Sequence, residues 1–369
     1  MGRRVRPLAV PPGGFRRIAV LRLSSLGDVI LTLPVVHALH RAVPEARIEY
    51  WTKEEYADVV RFDPAIAHVR RLERDAMRPE DLLSMSAELE ECDLIVDLHR
   101  SARTRLLTFR QRAPVLRADS YRLLRARWVH ARWSRPRPSP PALERYAAAL
   151  APLGIGGEGV PEMAAGKDAE RWALEWIGAW RPAEPPVALC PGARHATKRW
   201  PEAHWVALDE ALAGAGIPRL YFSLEAERKA LPALSTRAAQ DSGARWSCEP
   251  LPRLAALLSH CRAAVTCDSG LMHLAAARGL AVAALFGSTS PALGFAPAGA
   301  GHEVLCRNEP CQPCTLHGRE RCPQGHFRCM MELEPGQVIA ALERIAARHG
   351  ERGAAGPTIP LPGAAGAGL

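Results

Sequence analysis

Residues 265–291 read VTCDSGLMHLAAARGLAVAALFGSTSP, and the organisation of the chain can be worked out from them. The apolar run 263–267 has the length and composition of a buried strand. Asp268 or Ser269 then supplies a helix N-cap, residues 271–278 are Ala-rich and helix-favouring, and Gly279 closes the helix. Residues 280–286 make a second buried strand, followed by the turn Gly-Ser-Thr-Ser-Pro. This is a β-α-β unit with polar, Gly-containing corners at the carboxyl ends of both strands, where open α/β sheets bind ligands.

The first corner has specific chemistry. A helix starting at Ser269 and Gly270 points unpaired N–H groups outward, with roughly half a positive charge from the helix dipole, and so suits a phosphate. Gly270 has no side chain to block a close backbone approach. His273 shares the face of Ser269 and Gly270 by its spacing and is placed to donate to a phosphate oxygen. An ordinary capped helix with a core histidine has the same local pattern, so the corner alone leaves both readings open.

Working outward, 369 residues make two domains the default, and 48% apolar content is ample for two cores. No apolar run reaches the ~18 residues of a membrane helix. The start, MGRRVRP, has charge without an apolar stretch behind it, so no secretory signal is expected. Ten cysteines in a chain this long do not suggest a disulfide scaffold. Cys190, Cys261 and Cys267 lie in or beside apolar runs and read as reduced core thiols of a cytoplasmic protein. Charge is unevenly placed: residues 1–150 hold 27 Lys and Arg against 18 Asp and Glu, so the whole net charge of +9 lies there. A basic half implies an acidic partner. Residues 100–137 contain twelve Arg and one acid, Asp119, and are expected to form a functional basic surface, with Arg100, Arg103 and Arg105 as candidates to bind that acidic partner.

The remaining pattern alternates strand and helix. Expected strands are 17–23, 46–51, 66–72, 93–98, 186–190 and 217–222; expected helices include 29–42, 53–61, 79–91, 143–150, 168–180, 202–213, 225–239, 251–260 and 332–347. Such alternation means parallel sheets with right-handed crossovers, in two Rossmann-like domains. The expected division is an arm over 1–15, an N-terminal Rossmann-like domain over 16–165, a C-terminal Rossmann-like domain over 166–349 with a Cys-rich insert at 306–331, and a disordered tail over 350–369. Pro136 to Pro141 reads as a stiff connector, and the three Trp of 168–180 as packing.

Three further features carry chemistry. Ser24-Ser25-Leu26-Gly27-Asp28 is the first strand-to-helix corner, and it lacks the Gly-x-Gly-x-x-Gly of a dinucleotide site. Asp28 suits a helix start electrostatically, and it also suits a general base for an acceptor hydroxyl if two such domains face each other across a cleft. Lys198, before Trp200 and Pro201, reads either as an exposed lysine or as the cation for a leaving diphosphate. Glu225 and Glu227 follow an expected strand and can meet ribose hydroxyls or simply open a helix. Cys311, Cys314, Cys322 and Cys329, within 19 residues, have spacing able to hold zinc, or iron second, as a structural ion; two disulfides or free thiols are the other readings, with His317 and His326 as substitute ligands. No Asp-x-Asp triplet occurs, so diphosphate charge is expected to be met without a catalytic metal.

On these residues the chain resembles the lipopolysaccharide heptosyltransferases of glycosyltransferase family 9. The resemblance rests on Asp-Ser-Gly-Leu-Met-His-Leu-Ala-Ala-Ala from Asp268, Leu-Phe-Gly-Ser-Thr-Ser-Pro to Pro291, and Ser-x-x-Gly-Asp-Val around Asp28. Cys-x-Pro-Cys from Cys311 is similar to a subset of the heptosyltransferase II branch. The resemblance implies a GT-B fold and an inverting transfer of heptose from ADP-heptose to the inner core of lipopolysaccharide. That acceptor lies at the cytoplasmic face of the inner membrane, so peripheral membrane contact and an anionic acceptor are implied. It assigns Asp28 as the base and Gly192, Arg194, Thr197, Lys198, Glu227, Asp268, Ser269, Gly270 and His273 to the nucleotide sugar. The family's hydroxyl residues are replaced here at 193–195 by Ala, Arg and His, leaving Thr197, with Arg194 as a substitute. Two other readings remain: a nucleic-acid-binding protein with a zinc knuckle, disfavoured because the aromatics of the Arg run are not interleaved with it in a stacking pattern and because the Cys element sits in the neutral half, and a GT-B enzyme acting on protein serines.

Overall fold

The computed structural model describes residues 7–10, 13–73, 78–130, 139–157 and 159–350. Residues 1–6 and 11–12 of the expected arm, 136–138 of the connector and 351–369 of the expected tail lie outside them. The described residues divide into two compact units, one made of residues up to 124 with 139–166, the other of 125–130 with 167–350.

In the first unit five parallel strands run β1 (Arg17–Leu21), β2 (Arg47–Lys53), β3 (His68–Leu72), β4 (Leu94–Asp97) and β5 (Val115–Arg117), in the spatial order β3-β2-β1-β4-β5. β1 is central because Ile18, Ala19, Val20 and Leu21 are apolar on both faces and fully buried, as a parallel strand covered on each side requires. Its register sets Leu21 beside Trp51 on one neighbour and Asp97 on the other. Edge strand β5 went unread because Val115, Leu116 and Arg117 are too few apolar residues to stand out in an Arg-rich stretch. That stretch also folds into the helices Ala102–Leu107 and Arg122–His130.

Two expected helices are each split by a proline. The span 29–42 becomes Leu26–Ile30 and Leu33–Ala42. Pro34 has no N–H for the Ile30 carbonyl, so the helix stops and restarts with Thr32 as N-cap. The span 225–239 likewise becomes Glu225–Lys229 and Pro232–Gln240.

The second unit holds β6 (Val187–Cys190), β7 (Arg219–Phe222), β8 (Ala244–Ser247), β9 (Ala263–Cys267), β10 (Val282–Phe286) and β11 (Glu303–Cys306), all parallel, in the order β11-β10-β9-β6-β7-β8. β9, β10 and β6 are buried at every position and form the middle of the sheet. Outer strands β8 and β11, with mixed sequences, were not anticipated. Trp172, Trp176 and Trp180 meet in tilted and edge-to-face contacts along the helix Lys167–Trp180, and the Arg253 guanidinium lies 4.5 Å from the Trp172 ring centre, so these rings pack against each other and against Arg253.

Candidate active site

Asp28 is the third residue of the helix Leu26–Ile30, which opens just beyond the carboxyl end of β1. It completes a capping box: the Ser25 N–H donates to Asp28 Oδ2 at 3.2 Å, and the Ser25 hydroxyl donates to the same oxygen at 2.8 Å. Oδ1 is held from elsewhere, by Arg22 Nη2 at 2.6 Å and by the Tyr146 hydroxyl at 2.6 Å. The capping role and a chemical role therefore coexist. Burial pushes the carboxyl's pKa up, but the Arg22 charge and the bonds from Tyr146 and Ser25 outweigh it and hold Asp28 well below the usual carboxylate range. Arg22, 9% exposed, also donates to the Leu98 carbonyl at 2.6 Å, and its guanidinium lies over the Tyr146 ring. Nearby, burial and the charges of Arg22 and Arg103 push the His99 imidazole down to about 4, so it is neutral near pH 7. Sequence reasoning missed all three neighbours. Arg22, a lone cation closing an apolar strand, offered a signal; Tyr146, 118 residues from Asp28, offered none.

The second constellation is built at the carboxyl ends of β10, β9, β6 and β7, four adjacent strands. Lys198 lies on a 3-10 turn (Ala196–Lys198) in the loop after β6, and its Nζ donates to Asp268 Oδ2 at 2.7 Å. The Thr289 hydroxyl, from the loop after β10, donates to that same oxygen at 2.5 Å. Lys198 is thus already paired, and an incoming anion must share it with Asp268. Ser269 is the N-cap of the helix Gly270–Ala277, with extended backbone and a buried hydroxyl oxygen that has no hydrogen-bond partner among the described residues. His273 is buried one turn further in, at 6% exposure.

Thr197 and Gly192 sit differently from expectation. Thr197 does not present its hydroxyl to a ligand: it is 3% exposed and bonded to Ser288 Oγ at 2.8 Å and to the Arg319 N–H at 2.8 Å. Gly192 makes room for a side chain, since a Cβ there would stand 2.2 Å from Glu227 Oε2. That contact brings Glu227 to the end of β6, while its carboxylate also accepts the Leu224 N–H at 3.0 Å as a capping acid. Arg194 is exposed.

Part of the Arg-rich stretch borders an open cavity of about 530 Å³ in the first unit, lined by Arg100, Arg105, Thr108, Phe109, Arg117 and Asp119. Arg100 pairs with Asp119 at 2.8 Å, and Arg117 donates to the Thr108 hydroxyl at 2.8 Å. Arg103 does not line it, and Arg117, which the sequence did not single out, does. Phe109 is 74% exposed.

Cys311, Cys314, Cys322 and Cys329 all carry free thiols. Burial, then the neighbouring Cys314, Cys311 and Cys322, pushes the Cys329 thiol up to about 12, and Cys311 Sγ lies 3.8 Å from His326 Nε2. Among the described residues, however, no three His, Cys, Asp or Glu side chains converge closely enough to hold a metal ion. The sulfurs are neighbours without forming a ready coordination shell.

A family model described as glycosyltransferase family 9 (heptosyltransferase) matches residues 82–323. This chain belongs to that family. Lipopolysaccharide heptosyltransferase 1 of Pseudomonas aeruginosa is 31% identical over 350 residues, covering 88% of this chain and 93% of that protein. Among solved structures, a family 9 glycosyltransferase from Veillonella parvula superposes with TM-score 0.74 at 21% identity, covering 89% of this chain and 97% of its own. Escherichia coli ADP-heptose lipopolysaccharide heptosyltransferase II does so with TM-score 0.68 at 20% identity, covering 90% and 99%. The two parallel-sheet units are therefore those of the family 9 fold. Family membership leaves the nucleic-acid reading without support.

The Asp28 pairing has a consequence in acid. A carboxyl with a depressed folded-state pKa adds stability that is present above its unfolded value near 4 and is lost as pH falls. Arg22→Met should raise the Asp28 pKa, so the variant should lose less stability than wild type between about pH 4 and pH 2. Urea unfolding across that range checks this; parallel profiles would dismiss the pairing.

Proposed function

We propose that this family 9 enzyme moves heptose from ADP-heptose to the inner core of lipopolysaccharide, with Asp28 as base and the Lys198–Asp268 corner as the donor site. The observation that carries the reading is the chemistry of Asp28. One oxygen is fixed by Arg22 and Tyr146, while the other, among the described residues, is held by Ser25 alone, through its backbone N–H and a hydroxyl that can rotate away. Oδ2 is thus the oxygen that meets an acceptor hydroxyl. A carboxylate this acidic is a weak base towards a resting alcohol. Its task comes later: as the acceptor oxygen bonds to the anomeric carbon, that oxygen turns positive and strongly acidic, and Asp28 takes its proton. The bond from the anomeric carbon to phosphate breaks with its electron pair going to ADP, which leaves with inversion. Lys198 and the N–H groups at Ser269 and Gly270 meet the charge that develops on the diphosphate. To Glu227, whose carboxylate lies beside Gly192, we assign a ribose hydroxyl.

The acceptor reading rests on the Arg-lined cavity of the first unit. Guanidinium groups at Arg100, Arg105 and Arg117 suit phosphate or carboxylate bidentately, and the inner core with its lipid carries such groups. Peripheral contact with the cytoplasmic face of the inner membrane belongs to the same proposal: the exposed Phe109 beside this basic cluster suits an anionic bilayer surface. No described helix is long and apolar enough to cross a membrane. Transfer to a protein serine is the alternative, and it needs no anion-binding cavity. For the Cys insert we retain a structural zinc, or iron, as the proposal, with Cys311, Cys314, Cys322 and Cys329 as ligands; holding it requires the sulfurs to draw closer than they lie here.

Three measurements test these assignments. Asp28→Asn should lower heptose transfer by about 10²–10⁴-fold with ADP affinity preserved, and unimpaired transfer would end the role of Asp28. The double variant Arg105→Glu with Arg117→Glu should raise KM for the acceptor by about tenfold or more and leave the donor KM unchanged, whereas equal changes in both would remove the cavity from acceptor binding. Elemental analysis of purified protein should find one zinc or iron per chain, lost in Cys322→Ser with Cys329→Ser; metal-free, fully stable protein would refute the insert as a metal site.

A further inference from the structure

The Cys insert reaches the donor corner through a residue that is not a cysteine. We propose that Gln312 is a positioning residue of the donor site, setting the Asp268–Lys198 pair through the loop after β10. The proposal rests on the donor reading given above. The Gln312 side-chain nitrogen shares its two N–H groups among three carbonyls, those of Phe286 at 3.1 Å, Gly287, and Thr289 at 3.0 Å. Its own oxygen accepts the Glu309 N–H at 3.1 Å, which fixes the direction in which the amide points. Two residues on, the Cys314 N–H donates to the Ser288 carbonyl at 3.0 Å. Every carbonyl from Phe286 to Thr289 is therefore engaged by Gln312 or Cys314. These are bonds that a free loop would make to water or not at all.

The constraint continues to the charged groups. Thr289, whose carbonyl Gln312 holds, gives its hydroxyl to Asp268, and Asp268 holds Lys198. A second tie runs beside it: the Thr197 N–H donates to the carbonyl of Arg319 in the insert at 3.0 Å, and the Arg319 N–H donates to the Thr197 hydroxyl at 2.8 Å, one residue before Lys198. The two loops are also sewn to each other, since the Ser288 N–H donates to the Thr197 carbonyl at 3.2 Å. Gly287 has no room for a side chain, as a Cβ would stand 2.6 Å from that carbonyl and 2.8 Å from Met330. Replacing the amide leaves three part-buried carbonyls without their donor, and the loop relaxes to find others. What moves with it is Thr289, and with Thr289 the geometry of the pair that meets the diphosphate.

The test is ADP binding by calorimetry with the full chain, in a double-mutant cycle. Gln312→Leu keeps the volume and removes the amide; Thr289→Val removes the hydroxyl through which the amide is argued to act. Each should weaken ADP binding about tenfold, and the pair together should be no weaker than the worse single variant, because both break one linkage. Gln337→Ala, which removes an unrelated capping contact to the Glu334 N–H, should leave ADP affinity unchanged. Unaltered ADP affinity in Gln312→Leu, or additive losses in the pair, would overturn the proposal. Should Gln312→Leu fold poorly, Gln312→Asn keeps an amide too short to span three carbonyls and should show the same loss; wild-type affinity there would equally refute it. Wild-type protein that fails to bind ADP would sink the donor reading and this inference with it, a result distinct from binding that ignores Gln312.

Discussion

Asp268 gathers three chain segments onto one carboxylate. It stands at the end of β9, takes the ammonium of Lys198 from the loop after β6, and takes the hydroxyl of Thr289 from the loop after β10. These strands are neighbours in the sheet, so their ends are already within a few ångströms of each other, and a single acid between them sets how the loops are arranged. Without it, Lys198 would be a mostly buried cation with no counter-charge, which is costly enough to change the loop. With it, a helix start, a shared cation and a hydroxyl are held in one place before any ligand arrives, and little reorganisation is left for binding.

The first unit uses the same device with the charges reversed in emphasis. Asp28 is the functional group, and Arg22 and Tyr146 fix it. The arrangement trades base strength for orientation. A carboxylate that accepts four hydrogen bonds is poorly nucleophilic and reluctantly protonated, but it points one way. For a displacement at an anomeric carbon, where the incoming hydroxyl acidifies itself as it bonds, direction matters more than basicity.

Much of this architecture was legible, and the illegible parts share a cause. Central strands such as β9 and β10 announced themselves because a strand buried on both faces must be continuously apolar. The corner residues Asp268, Ser269 and Gly270 could be placed because cap chemistry is local. Edge strands β5, β8 and β11 could not, since their few residues compete with polar neighbours. Helix breaks at Pro34 and Pro232 were misjudged by treating apolar periodicity as stronger than a missing N–H. Tertiary choices were silent altogether: nothing in one dimension says that Tyr146 will reach Asp28, that Gly192 exists for Glu227, or that Thr197 turns its hydroxyl towards Arg319 instead of a sugar.

Gly287 sits where the strand loop, the lysine loop and the Met330 side chain meet with no space between them. Contact that tight makes the Cys-rich segment and the two loops beneath it a single mechanical part. A substitution in any of the three is felt in the other two, so they can change only in concert. Anyone transplanting the segment into a relative that lacks it would have to carry Thr197 and Gly287 along, or the graft will not seat.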